Sequence, residues 1–435
     1  NITLFFRSGE PINSSTVYIA DRAATVTAIS GNDYQATLVL DGTEPSGPLS
    51  ISLSYIDTMA NILDPYLTTT DDSEVVNDKS APQMDLIQML SSNSNSNWAK
   101  VDDTVWVNFT AIEALIPNSI NLSIFDDDYP NGDVMFYNNQ GDQTFSYYII
   151  TTPTHPEGPI EFEILSFYDY AGNPGAVPLD TTMDESWVKF DRTEPLLLDI
   201  NNVITSGGTV AENYWNGTNT GISITVDVAD DQTLNEGWFQ ILAMVNGNNA
   251  GALGTYSLSA GDIGISKTVA GQENFEGLSQ FDENVNVTFY GLISDAAGNT
   301  NPSTDTSFTI HVDQIPPNLG NISIYSSNND QSIAILGDTV FVAFTGNEAI
   351  DSVNATIGGQ PIDSSNINGV TTSVLMWRRM TGTETEGILP LSVTAGDIAR
   401  NMSTIYTEAN DSVDFSAAGP EILSANIRSN SSYGD

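Results

Sequence analysis

The residues with chemistry to offer are acids that recur in step: Glu10, Asp57 and Asp78; Glu113, Asp169 and Asp191; Asp230, Asp295 and Asp313; Glu348, Asp397 and Asp414. Each set has one acid four residues past an alternating apolar run, one heading an Asp-x-(Met/Ala)-x-Asn corner, and one where a short strand gives way to proline. Oxygen donors of high charge suit Ca²⁺, which takes about six to eight oxygens in flexible geometry. Cysteine is absent, so thiolate metal sites, disulfides and a cysteine nucleophile are excluded. A set becomes a calcium site only if the strand end, the corner and the exit meet near a linker. Otherwise each Asp caps its own turn and each Glu is solvated.

Other motifs carry less. Asp126-Asp127-Asp128-Tyr129-Pro130-Asn131-Gly132-Asp133 fails as an EF-hand loop, since Tyr129 occupies a ligand position and no Glu closes it, and it reads as an exposed hairpin. The two histidines are His155, beside Pro156 in a loop, and His311, outward between Ile310 and Val312 on a strand. Neither builds a Ser-His-Asp arrangement or a histidine-rich metal site. No Gly-rich loop carries a phosphate-binding Lys. The expectation is a chain that is not an enzyme. Asn-x-Ser/Thr sequons stand at Asn1, Asn13, Asn108, Asn121, Asn216, Asn286, Asn321, Asn354, Asn401, Asn410 and Asn430, so a glycoprotein is allowed.

Eleven Lys and Arg face 56 Asp and Glu, for a formal charge of −45. Such a surface repels phosphate and anionic lipid, excluding nucleic acid as a partner and polybasic membrane binding, while gathering cations. No apolar run is long enough to insert into a membrane. The start, Asn1 to Phe6, lacks the basic and long apolar regions of a signal peptide, which implies a processed chain or an excerpt. Apolar residues at 40% are enough for packed cores.

The acids need elements to hold them, and these are strands. Ile2, Leu4 and Phe6 alternate, as do Val105, Val107 and Phe109, Ile222, Ile224 and Val226, and Val340, Val342 and Phe344. The corners Asp57 to Asn61, Asp169 to Asn173, Asp295 to Asn299 and Asp397 to Asn401 return at intervals of roughly 100 to 130 residues, the mark of an array. Hairpins are expected at Asn131-Gly132, Asn246-Gly247 and Asn368-Gly369. Trp106 and Phe341 point outward on the aligned strands, where either a domain contact or, the favoured reading, a packed loop would cover them. About seven short strands per repeat describe a two-sheet sandwich. The expected domains are 1–78, 79–191, 192–313 and 314–414, with boundaries at Pro82, Pro195, Pro316-Pro317 and Pro420. Residue 1 aligns with the start of the acid-bearing strand, so domain 1–78 lacks the segment that precedes it elsewhere. The stretch 415–435 looks like that missing segment. It is either the first strand of a following domain, in a window cut from a longer array, or a strand donated to the open domain of the next molecule.

On the corners Asp169-Tyr170-Ala171-Gly172-Asn173 and Asp295-Ala296-Ala297-Gly298-Asn299, the chain resembles tandem immunoglobulin-like repeats of prokaryotic cell-surface proteins. Met59-Ala60 and Ala399-Arg400 depart from the pattern, which implies a different turn there. The resemblance implies an all-β row of immunoglobulin-like sandwiches, extracellular and at the cell surface, with calcium between domains as in adhesin members. It extends to acidic archaeal surface-layer proteins and adhesin stalks. The leading expectation is a structural protein that self-associates into an acidic surface-layer (S-layer) lattice or filament and attracts cations. An adhesin stalk or spacer is the alternative, and an accessory region of a secreted hydrolase a third.

Overall fold

A computed structural model describes residues 1–128, 134–269, 274–303, 308–368 and 371–428. It is all-β: antiparallel sheets joined by turns, with only three-residue 3-10 turns as helical elements among the described residues. By internal contacts the chain divides into two units, Asn1–Thr193 and Glu194–Asp435.

In the first unit, Ile2–Arg7 pairs with Asp33–Leu38, which pairs with Thr25–Ser30. A second sheet places Ile12–Ile19 between Arg22–Ala23 and Ile51–Asp57. Val17, Ile19 and Leu53 of this sheet pack on Ala36 and Leu38 of the other. Further along, Thr104–Ala111 lies between Met84–Ser91 and Thr144–Ile150, over a sheet of Asn121–Ile124 and Phe162–Ser166. Val105, Val107 and Phe109 are at most 1% exposed, because a strand with alternating apolar residues turns them all to one face. A separate apolar cluster gathers them with Ile87, Phe145, Leu122 and Ile164.

The second unit repeats the scheme. Asp199–Ser206 and Ser266–Val269 flank Gly221–Asp227, over a larger sheet in which Asn286–Ser294 lies between Trp238–Val245 and Thr309–Val312. Leu319–Ser326 and Ser373–Arg379 flank Thr339–Gly346, over Ser352–Ile357 paired with Leu391–Gly396. Two apolar clusters result, one around Ile224, Phe239 and Phe289, the other around Val342, Phe344 and Val393.

The Asn246-Gly247 hairpin forms with both residues left-handed (φ 49° and 81°), the backbone that Asn and Gly tolerate best. Asn131-Gly132 and the Tyr129 to Asp133 part of the acidic run lie outside the described residues, as does Gly369. Trp106 and Phe341 are half-buried on their strands. Trp106 stands opposite Leu90 and Tyr148; Phe341 stacks on Tyr325 (5.2 Å between centroids) and pairs with Trp377 on the next strand. Cross-strand pairs on one face lie within side-chain reach, so these neighbours share the outward face with them.

Candidate metal centres

The four corners share one hydrogen-bonded construction. The heading Asp is buried in each, at 1–3% exposure, and its carboxylate accepts both the backbone N–H and the side-chain amide of the closing Asn. For Asp169 and Asn173 both bonds are 2.8 Å; for Asp397 and Asn401 they are 2.8 and 3.0 Å. The carboxylate thus replaces the ladder partner that the chain loses as it turns back. The fourth residue is left-handed in every copy: φ is 69° at Ala60, 89° at Gly172, 83° at Gly298 and 67° at Arg400. Replacement of Gly therefore does not change the turn, contrary to the sequence expectation. Ala60 and Arg400 accept a backbone costly for residues with a Cβ, and the Asp–Asn bonds hold them there.

Two groups of three carboxylates form. Oxygens of Asp78, Glu113 and Asp169 lie within 4.8 Å of one another, and so do those of Asp313, Glu348 and Asp397. The grouping corrects the sequence reading in one respect. Asp78 and Asp313 do not join the acids of their own repeat; each meets the strand-end Glu and corner Asp that follow its proline linker. The corner Asn ties this together, for Asn173 Nδ2 also donates to the Asp78 carbonyl (3.2 Å) and Asn401 Nδ2 to the Asp313 carbonyl (2.8 Å). On the second group the tie is doubled: Asn216 Nδ2 donates to the Ala399 carbonyl (2.7 Å), and Gly217 N–H to Asn401 Oδ1 (3.1 Å).

Packing acids together shows in their protonation. Burial, then the charges of Asp78 and Asp169, pushes Glu113 up. Burial, then Asp397, Glu348 and Glu283, pushes Asp313 up to about 6, and Glu348 rises through burial, Asp397 and Glu283. Like charges drawn from water favour a proton or a cation. Hard oxygen donors converging around buried carboxylates fit Ca²⁺ or a similar ion, with no thiolate or imidazole in either group. Glu283, whose carboxylate also accepts the Gln314 N–H (3.0 Å), has counterparts in Glu157, which accepts the Arg192 N–H (3.1 Å), and Glu386, which accepts the Ala417 N–H (3.0 Å), a recurrence the sequence reading missed.

The remaining expected ligands stand apart from such groups. Within the first unit no described trio includes Glu10, which is exposed, Asp57, or Asp191, which accepts the Thr193 N–H. Within the second unit no described trio includes Asp230, Asp295 or Asp414. Asp414 is also misassigned by two positions. Phe415 pairs with Ala334 as Phe190 pairs with Ala99, so the counterpart of Asp191 is Ser416, a residue with no charge to offer.

A loop missed in the sequence also recurs. Glu44, in Asp41-Gly42-Thr43-Glu44, accepts the N–H groups of Asp41 and Gly42 and pairs with Arg22. Glu384, in Thr381-Gly382-Thr383-Glu384, accepts those of Thr381 and Gly382 (both 2.9 Å) and pairs with Arg378 (2.9 Å). Burial pushes Glu384 up, yet the N–H donors and Arg378 outweigh it and hold its carboxyl at about 2. His155 takes this place in Thr152-Pro153-Thr154-His155: it is buried, stacks on Phe125, and accepts the Thr152 N–H at Nδ1 (3.0 Å). A Thr before the acceptor and a Gly three residues after it are the signal that could have found the loop. His311 lies exposed on its strand beside Asn286.

No protein-family model matches this chain, and no curated protein matches it. Among solved structures it is similar to a 1.5-MDa bacterial ice-binding adhesin, at 18% identity and TM-score 0.31 over 78% of this chain and 100% of that one. It is also similar to a tetra-tandem repeat from the extending region of a large adhesion protein, at 17% identity and TM-score 0.25 over 95% of both. The ICAM-5 D1–D4 ectodomain fragment matches at 10% identity and TM-score 0.26 over 76% of this chain and 77% of that one. No helix among the described residues is long and apolar enough to cross a membrane.

Proposed function

We propose that this chain is a non-catalytic, extracellular spacer: a succession of immunoglobulin-like modules at a cell surface, with junctions at the two acid trios stiffened by calcium. The observation that carries the reading is the corner Asn, which bonds its own buried Asp and the backbone of the acid before the linker. A junction so built favours a fixed relation between neighbours over a loose tether. Asp78, Glu113 and Asp169 would hold one ion, and Asp313, Glu348 and Asp397 another. Bound calcium would supply positive charge that cancels their repulsion. The two histidines, one a buried hydrogen-bond acceptor and one on an exposed strand, support a role without acid–base chemistry.

A second reading, a surface-layer lattice, is favoured by the charge of −45, which would make such a layer an anionic mesh that gathers cations. Both readings need the junctions to be rigid when calcium is present. Lys79, exposed beside Asp78 in the first linker, makes this measurable by limited trypsin digestion. Calcium is expected to slow cleavage after Lys79 at least about tenfold relative to chelator, as ordering worth about 1.4 kcal/mol would. An unchanged rate at Lys79, with calcium shown by calorimetry to be absent from the protein, would end the calcium-stiffened spacer.

A further inference from the structure

The sheet of Asn121–Ile124 and Phe162–Ser166 gathers a further set of acids that neither trio uses. Leu122 pairs with Ile164 and Ile124 with Phe162, and all four belong to the apolar cluster beneath. Alternation therefore turns Ser123, Glu161 and Glu163 to the opposite face. Ser123 stands across from Glu163, and the bridge between Ile164 and Leu179 brings Asp180 level with Glu163 on its other side. Asp126, which opens the acidic run that fails as an EF-hand loop, comes two residues after Ile124. These five residues line one cavity of about 320 Å³.

The polar groups of this cavity have no partners. Asp71, Asp184 and Asp363 each accept the N–H of a Ser two residues on, as acids that cap their own turns do. Among the described residues, by contrast, Asp126, Glu161, Glu163 and Asp180 accept no side-chain hydrogen bond and pair with no Lys or Arg. Ser123 is only 8% exposed, yet its hydroxyl, on the wall of this cavity, has no partner among the described residues either. Buried hydroxyls are ordinarily paired, and like charges level with each other on neighbouring strands, with Cβ atoms about 5 Å apart, destabilise a sheet. A cation seated among them answers both. The carboxylates do not close into a trio as those at the junctions do, so the space between them has room for an ion together with water.

We propose that this face is a calcium site separate from the two acid trios, in which Glu163 and Asp180 supply carboxylates, Ser123 its hydroxyl, and Asp126 and Glu161 further negative charge. Every donor is an oxygen, the choice of a hard cation. The donors come from a turn, a strand pair and a loop, an irregular set that suits the flexible shell of Ca²⁺ and not the near-ideal octahedron of Mg²⁺. Bound there, the ion would pin the Asp180 segment, joined to the sheet by the isolated Ile164–Leu179 bridge, onto Glu163.

Calcium titration of the full chain by calorimetry, in enough salt to screen a diffuse ion cloud, tests this. Glu163→Gln with Asp180→Asn should bind one ion fewer per chain than the parent. Glu194→Gln with Glu212→Gln, which removes the same charge from exposed acids elsewhere, should bind as many as the parent. Ser123→Ala should weaken the one site about tenfold. Hydrogen exchange locates the ion: calcium should slow the amides of 162–166 and 179–180 in the parent and not in Glu163→Gln with Asp180→Asn. Exchange at Asn173 reads the neighbouring trio separately, so a silent junction and a silent sheet face are told apart. An unchanged ion count in Glu163→Gln with Asp180→Asn, an equal loss in the control pair, indifference to Ser123→Ala, or no calcium protection of 162–166 in the parent would each overturn the site.

Discussion

Replacing Asp313 by Asn reports on the second acid trio in two opposite ways, according to whether calcium is present. Burial and the charges of Asp397, Glu348 and Glu283 raise the Asp313 carboxyl from 3.8 to about 6. A folded-state value above the unfolded one means the folded protein holds the proton more tightly. Stability is therefore undiminished below pH about 4, falls as pH rises toward 6, and carries the whole penalty above it. At about 1.4 kcal/mol per unit the shift corresponds to about 3 kcal/mol, which partial solvent exposure and screening reduce to roughly 1–2 kcal/mol. Asn removes the charge and leaves the bond from Asn401 to the residue 313 carbonyl in place. In chelator at pH 7.5 and low salt, D313N should melt about 2–8 °C above the parent, taking about 2–4 °C per kcal/mol for a unit of this size. At pH 4 the difference should vanish. Calcium at about a hundred times its dissociation constant stabilises the parent by about 2.7 kcal/mol, and D313N should lose most of that, so the order of melting reverses. Calorimetry of the full chain at both pH values, with and without calcium, reads all of this. A variant that melts below the parent in chelator at pH 7.5, or that responds to calcium as the parent does, would refute the reasoning.

Three further outcomes follow from the corners and loops. Arg400→Gly, which relieves a left-handed residue (φ 67°), should stabilise by about 0.5–1 kcal/mol after the added freedom of the unfolded chain is counted; a loss measured in urea would mean the Arg side chain contributes. Asp295→Ala removes the carboxylate to which the Asn299 N–H and amide both donate in a buried corner and should cost about 2–4 kcal/mol, equally with calcium and with chelator. Glycopeptide mapping should find Asn216, fully buried with its amide donating to the Thr209 and Ala399 carbonyls, unmodified in folded protein even where exposed sequons such as Asn13 or Asn354 carry glycan.

Alternation and repetition were enough to announce the all-β class, because a strand exposes its two faces to different surroundings and so writes burial into the sequence with a period of two. Val105, Val107 and Phe109 lie inside for that reason, and Asp169 and Asn173 read as a corner because their bonds are local. What a linear pattern does not carry is which ends meet. Asp78 joins Glu113 and Asp169, and Asp313 joins Glu348 and Asp397, through a corner Asn that reaches the backbone before the linker. Asp414 shows the same limit from the other side: counting residues placed it at the exit, and the strand register put Ser416 there. The backbone angle at Arg400 was likewise decided by the turn around it, since bonds from Asp397 to Asn401 outweigh the preference of the residue between. Periodicity and charge belong to the order of residues, whereas convergence depends on how strands pair across space, and only the folded chain supplies that.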